Sequence, residues 1–557
     1  MLTNNEGVID LVAIGQEHLR NVHRNLTTPR LYEEIIKNRE GQIAHMGPVV
    51  VRTSHSTKRS HADRFIVAES DTEDKMCWSD RNNPISEQQF KNLYYRLMAY
   101  MQNKEAYVQY CHACNDPEHR VSIRFVTETA WHSLFVRNMF EPLRDTETLR
   151  LLNDSHTTDQ FKPEFSVVHI PGFQAVPEQD GTRSSAFVVI HLGQRLAVIG
   201  GTSYAGEIKQ AVFTMLNYLF PTESVLPMRC SANMGQDGDV AIFIGRSGTG
   251  KTTLSVDPER RLVGDNRHGW SDKGIFSFER GCYAKVMNIS SEDEPEIYDC
   301  TRKFGTILEN VSVDLNTRNI DLDDERLTKN TRAAYPMTHV PNAICGKNCG
   351  HPRHLFLLTC DAFGVIPPIA RLTPEQAIYG FLSNYTAQFS PTEADVEPQA
   401  GFNVCFGASS FTLQPSVYAK LFMEKIKKHN LTCWIMNTGW NGEPYDRGER
   451  IKIAHSRALL RAAVSGSLED MEYETDPVFL FEIPKKCPGV PDEMLNPRNV
   501  ASDEGEYEVR ANRLAREFMK DFSKFENEMP ENMRTLLSEI LSLDGSFDLF
   551  DEFSFSM

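Results

Sequence analysis

The sequence predicts an α/β protein in two domains with mixed sheets. Three observations predict it. Short apolar runs of strand length alternate with helical patterns along most of the chain. A glycine-rich loop stands between a strand-like and a helix-like run at residues 245–252. The 557 residues suffice for two or three packed cores. An N-terminal α/β domain is expected over residues 1–223 and a loop-bearing domain over 224–527. A helix and acidic tail are expected over 528–557.

The elements follow in chain order. PRLYEEIIKNREG carries a helical pattern that ends in a glycine stop signal. GPVVVRT and DRFIVAE are β-rich, and RVSIRFVTETAWHSLFVRNMF reads as a strand followed by a helix. SAFVVIHLGQRLAVIGG reads as two strands, and AVFTMLNYLF, apolar on most faces, as a buried helix. From Asp239 the text becomes strand, glycine loop, helix, strand: VAIFIG, RSGTG, KTTLS, RRLVGD. HLFLLTCDAFGV and TCWIMNTGW supply later strands. In ENMRTLLSEILSL, residues Met533, Leu536, Leu537, Ile540 and Leu541 share one helical stripe, and Phe547, Phe550, Phe553 and Phe555 follow among acids. That tail is a candidate surface for a protein partner or for self-association; a solvated end is the plainer alternative.

Composition excludes several function classes. A net charge of -17 argues against a nucleic-acid partner. No apolar stretch has the length of a membrane span. The N-terminus carries acids and lacks the marks of a signal or transit peptide, so a cytoplasmic location is expected. Twelve scattered cysteines in so large a chain fit reduced thiols and no disulfide framework. Cys111, Cys114, Cys345, Cys349, His351 and His354 could be weighed as a zinc set, but the two cysteine pairs are far apart and read as loop or core thiols.

Gly245 to Thr252 fits the phosphate-loop pattern G-x4-G-K-[ST]. Its glycines let backbone N–H groups close around phosphate oxygens, Lys251 reaches the β and γ phosphates, and the Thr252 hydroxyl can ligate the nucleotide's magnesium. Gly245, Ser247, Gly248, Thr249, Gly250, Lys251, Thr252 and Thr253 are therefore candidate nucleotide ligands. RRLVGD ends in Asp265, where such a protein places a carboxylate for the metal or its water.

With the phosphate loop, DPERRLVGD and HGW, the chain resembles the ATP-dependent phosphoenolpyruvate carboxykinases. LYEE, FVTETAWHSLFVRNMF, GGTSYAGEIK, LNYLFP, GCYAK, EPEIY, LENV, NTRAAYP, DAFGVIPP, CFGASS, NTGWNG and LNPRN add to the likeness. The resemblance implies that oxaloacetate loses carbon dioxide and the enolate takes the γ-phosphoryl of ATP, the carboxykinase step of gluconeogenesis. Cationic side chains must then clamp a small dicarboxylate and stabilise an enolate oxygen. On this likeness Arg59 falls on the substrate arginine, Arg332 on the arginine bridging substrate and γ-phosphate, and Tyr204 on the tyrosine near the departing carbon dioxide. Lys209 keeps the first lysine of the family's GE-x-KK run and counts with Lys251 among the catalytic candidates. Lys285 falls near the phosphates, and Arg450 and Ser456 near the adenine.

The family's second metal, usually manganese, takes a neutral lysine from GE-x-KK, a histidine from M-H-C-S-A-N and the second Asp of GDDEHGW. Here the runs read GEIKQ, MRCSAN and GDNRHGW, so the three positions hold Gln210, Arg229 and Asn266, with Arg267 after them. A guanidinium stays protonated and offers no lone pair. Amide oxygens are weak ligands beside a carboxylate. The substrate loop also departs, reading Thr57-Lys58-Arg59-Ser60-His61 in place of T-G-R-S-P. The expectation is a protein that binds ATP or ADP with magnesium, lacks the manganese site, and has lost most or all carboxykinase turnover in favour of a scaffold or regulatory role. Two alternatives stand: a working carboxykinase with an altered metal site, and a different phosphoryl transfer at the intact loop.

Overall fold

The computed structural model describes residues 18–70, 72–79, 82–143, 163–246, 248–292, 294–344, 349–388, 399–404 and 412–522. Ser247, Cys345 and the 528–557 tail singled out above lie outside them.

A nine-stranded mixed sheet gathers the strands between Asn21 and Gly200 other than Gly41–Ile43 and Val49–Val51. Its centre runs Val121–Thr127, Phe165–Ile170 and Leu196–Gly200 in parallel, with Phe187–His191 antiparallel to the last. These strands are buried on both faces, and their side chains alternate between two clusters as the pleat requires. Val167, Val188, Ile190, Ala197 and Ile199 pack under the helices Ala130–Met139 and Gly206–Leu219. Val168, Val189, Leu196 and Val198 pack under the helix Glu87–Met101. A Ser86–Gln89 capping box starts that third helix.

An eight-stranded mixed sheet carries the phosphate loop. Val240–Gly245 lies inside it, antiparallel to Cys230–Met234 and parallel to Pro352–Thr359, which in turn runs parallel to Thr432–Asn437. The loop thus leaves the carboxyl end of a central strand, where ligands of open α/β sheets bind. A third, five-stranded sheet joins Gly41–Ile43 and Val49–Val51 to Ile307–Glu309, Arg332–Pro336 and Gly281–Lys285. It ties early and late parts of the chain into one body beside the loop.

Within the described residues, the elements expected from pattern are present as α/β with mixed sheets. One boundary differs. The first helix, Thr28–Lys37, stops at Asn38, and Arg39 takes the left-handed conformation (φ 58°). Gly41 instead opens the strand Gly41–Ile43, where a Cβ would meet the Val50 carbonyl oxygen at 2.8 Å. The glycine is kept there for close strand approach. Among the described residues, no helix is long and apolar enough to cross a membrane. Cys111 and Cys114 are free, buried thiols, and Cys349 is buried.

Candidate functional site

The phosphate loop is shaped by its glycines. A Cβ on Gly245 would lie 2.4 Å from Thr249 Oγ1 and 2.9 Å from both Cβ and O of Leu358. Gly248 and Gly250 have φ of 92° and 85°, and a Cβ on Gly248 would point into open space. The loop feeds a short helix, Lys251–Ser255. Lys251 Nζ donates to the carbonyls of Gly245 (2.7 Å) and Arg246 (2.9 Å), so the ammonium is folded back over the loop it would serve. Burial, with help from Arg229 and Arg267 against the pull of Asp265, lowers its pKa to about 7. The Thr252 hydroxyl donates to Asp265 Oδ1 at 2.7 Å, which places a hydroxyl and a carboxylate together as a magnesium site requires.

Around the loop, Arg450 Nε donates to the Thr438 carbonyl at 2.8 Å and its Nη2 reaches the Gly248 carbonyl at 3.4 Å. Ser456 is buried in the helix Ile453–Val464. From its neighbour Arg457 a guanidinium reaches the Thr253 carbonyl at 3.4 Å. Thr253 Oγ1 donates to Glu294 Oε1 at 2.6 Å. Glu294 and Thr438 had not been singled out as residues, although EPEIY and NTGWNG contain them.

The substrate-side candidates converge from two sheets. Strand register sets Lys285, Arg332 and Glu309 side by side. Arg332 lies over the Tyr283 ring (5.6 Å), and Tyr283 and Tyr204 have ring centroids 6.1 Å apart. The Tyr283 hydroxyl donates to Glu309 at 2.7 Å; burial holds that carboxyl up at about 8. Asn330 accepts from Arg332 (2.8 Å) and donates to the Thr57 carbonyl (2.8 Å), which links Arg332 to the loop bearing Arg59. Tyr204 follows a turn held by two buried histidines, which donate from Nε2 to the carbonyls of Thr202 (His169, 3.0 Å) and Ser203 (His132, 2.9 Å). Burial lowers both imidazoles, His169 to about 4, so they are neutral at pH 7.

The helix Gly206–Leu219 then delivers Lys209 and Gln210. Lys209 forms a buried ion pair with Glu279, a partner that no motif had flagged. Gln210 Oε1 accepts from Arg59 Nη1 at 2.8 Å and from Arg267 Nη2 at 3.3 Å. Arg267 is buried and also lies over the Phe213 ring at 5.1 Å. Arg229 leaves the strand end before Cys230–Met234. Burial and the nearby charges of Arg59, Arg332 and Arg246 lower its guanidinium to about 10, which leaves it protonated at neutral pH. Asn266 is half-buried in the turn between Asp265 and Arg267. Arg229 thus stands in the field of Arg59 and Arg332, and Lys251 in that of Arg229 and Arg267.

Sequence comparison adds the lineage. The profile of the family described as phosphoenolpyruvate carboxykinase, in its ATP-dependent form, matches residues 20–493. The phosphoenolpyruvate carboxykinase (ATP) of Pelobacter propionicus is 52% identical over 501 residues, covering 90% of this chain and 93% of that protein. The protein of the same name from Geotalea uraniireducens is 51% identical over 512 residues, 92% of this chain and 95% of its own. That from Thermus thermophilus is 49% identical over 516 residues, 92% and 96% of the two chains. The phosphate loop, its carboxylate and the surrounding arginines thus stand in a scaffold matched almost from end to end, and the chain belongs to the ATP-dependent phosphoenolpyruvate carboxykinase family.

Proposed function

We propose that this protein binds ATP or ADP with magnesium at the phosphate loop and is impaired as a carboxykinase, with a regulatory or scaffold role. Gly245 to Thr253 hold the phosphates, Lys251 neutralises them, Thr252 and Asp265 would hold the magnesium, and Arg450 closes the side of the loop. Ser247 joins them by its place in the motif. Magnesium, when bound, would draw charge from the β and γ phosphates. A small dicarboxylate is the proposed second ligand, met by Arg59 and Arg332 with Tyr204 beside them.

The observation that carries the impairment is the pair of hydrogen bonds on Gln210 Oε1, from Arg59 and Arg267. That oxygen is the ligand atom position 210 could offer a second metal. Two guanidinium groups already use it, and protonated Arg229 stands nearby. Placing a divalent cation there would add like charge in a buried pocket, where charge repulsion is strong. The donor set does not fit manganese. Arg229 and Arg267 can hold an anion by forked hydrogen bonds, without the Lewis acidity of a metal.

The identity of about half of all positions to proteins named phosphoenolpyruvate carboxykinase (ATP) favours the second reading, an active carboxykinase with an altered metal site. Phosphoenolpyruvate formation from oxaloacetate and ATP, with magnesium and manganese both supplied, separates the two. Turnover at the usual enzyme scale of about 1–10³ per second would overturn the proposal. Manganese electron paramagnetic resonance tests the site directly: one nucleotide-dependent metal is expected, and a second tight site would refute the reading.

A further inference from the structure

A cavity of about 230 Å³ lies behind the site, between the first sheet and the phosphate-loop half. No described residue of the loop lines it. Its wall includes Val263, just before Gly264 and Asp265, and Glu279, the ion-pair partner of Lys209. The cavity therefore shares residues with the back of the candidate site and is distinct from it.

Three features define what would fit. Arg280 lines the cavity, and among the described residues its guanidinium has no hydrogen-bond or ion-pair partner. Two carboxylates line the same space: Glu141, in contact with Arg120 at 3.3 Å, and Glu279. Val263, Met337 and Ile344 supply apolar wall. The volume is below the roughly 300–1,000 Å³ of pockets for drug-sized ligands, so the occupant is small. A simple anion would meet Arg280 but also Glu141 and Glu279, whose charges Arg120 and Lys209 offset only from one side each. A simple cation would meet the carboxylates but also an unpartnered guanidinium. A molecule with both charges and an apolar body satisfies all three.

We propose that this cavity is a binding site for a small zwitterion of the aliphatic α-amino acid class. Its carboxylate pairs with Arg280, its ammonium faces Glu141, and its side chain lies on Val263, Met337 and Ile344. The proposal does not depend on whether the carboxykinase site turns over.

Calorimetric titration of the full-length protein with L-leucine tests it, alongside 4-methylpentanoate, which lacks the ammonium, and 3-methylbutylamine, which lacks the carboxylate. Saturable leucine binding is expected. Each analogue should bind at least about tenfold more weakly, the scale of one lost charge-assisted contact. Arg280→Gln and Glu141→Gln should each weaken leucine by a similar factor, while MgADP affinity stays unchanged and certifies the fold. Absence of saturable leucine binding overturns the proposal. So does equal leucine affinity in the wild type and Arg280→Gln, or an analogue that binds as well as leucine.

Discussion

Raising the pH from 7 to 9 should weaken MgADP binding by roughly fifty-fold through Lys251 alone. In the free protein burial, Arg229 and Arg267 hold this lysine at about 7, against the opposing pull of Asp265. About half of it is charged at pH 7 and about one part in a hundred at pH 9. A bound phosphate favours the ammonium and returns it to the charged form, so binding takes up a proton. The sign follows: affinity falls as pH rises above 7, and the ratio of protonated fractions gives the fifty-fold, about 2.3 kcal/mol. ADP adds little slope of its own, since its terminal phosphate loses its last proton near about pH 6. Calorimetry in two buffers of different ionisation enthalpy should show uptake of about half a proton per ADP at pH 7, approaching one by pH 8 to 9. Lys251→Met should bind weakly and without this slope. Equal affinity at pH 7 and 9, or the same slope in Lys251→Met, would refute the reasoning.

Gly245→Ala should abolish measurable nucleotide binding and cost about 1–3 kcal/mol of stability, because its Cβ meets the backbone of the neighbouring strand at 2.9 Å; urea unfolding with an ADP titration checks both. Glu279→Gln should cost about 3–5 kcal/mol by stranding buried Lys209, and Glu279→Met with Lys209→Met should recover most of that loss in the same unfolding assay. Stability should fall as pH drops from 6.5 to 4. His169, His268 and His354 are lowered by burial from 6.5 to about 4, so the unfolded chain takes up protons first, at about 3 kcal/mol each by pH 4. Melting temperatures that stay flat over that range would contradict it.

The order of strands and helices was legible because apolar alternation and helical periodicity are local. FVVIH and LAVIG declare buried strands, and VAIFIG with KTTLS declares the unit around a phosphate loop. What stayed hidden depends on distant pairing. Glu279 reads as an ordinary acid until the fold sets it against Lys209, which lies 70 positions earlier. His132 and His169 acquire a role only when two elements bring both rings to the Thr202–Ser203 carbonyls. The contact of Arg457 with the Thr253 carbonyl, one residue beyond Ser456, likewise shows only in the fold. The substitutions at 210, 229 and 266 were visible as letters, but the hydrogen bonds that fill position 210 were not.

On the proposed function, those bonds decide how the metal site could be rebuilt. Restoring lysine, histidine and aspartate at 210, 229 and 266 looks sufficient from the sequence. The structure adds a fourth position, because Arg267 donates onto residue 210. A lysine placed there beside Arg59 and Arg267 has two outcomes. Protonated, it is repelled by both guanidinium groups. Neutral, it offers a single lone pair, for which the buried Arg267 beside it competes with a metal by donating a hydrogen bond. Neither state leaves a free ligand for a metal. Replacing Arg267 by the family's acid removes one competing donor and, with Arg229→His and Asn266→Asp, turns a strongly cationic corner into one that can hold a divalent ion. The variant Gln210→Lys, Arg229→His, Asn266→Asp, Arg267→Glu should therefore show a second manganese signal and gain turnover together. The triple reversion that keeps Arg267 should show neither, since residues acting on one site are not additive. Tight manganese binding by the triple variant would mean that Arg267 yields position 210 freely, and that the bond seen here is not what excludes the metal.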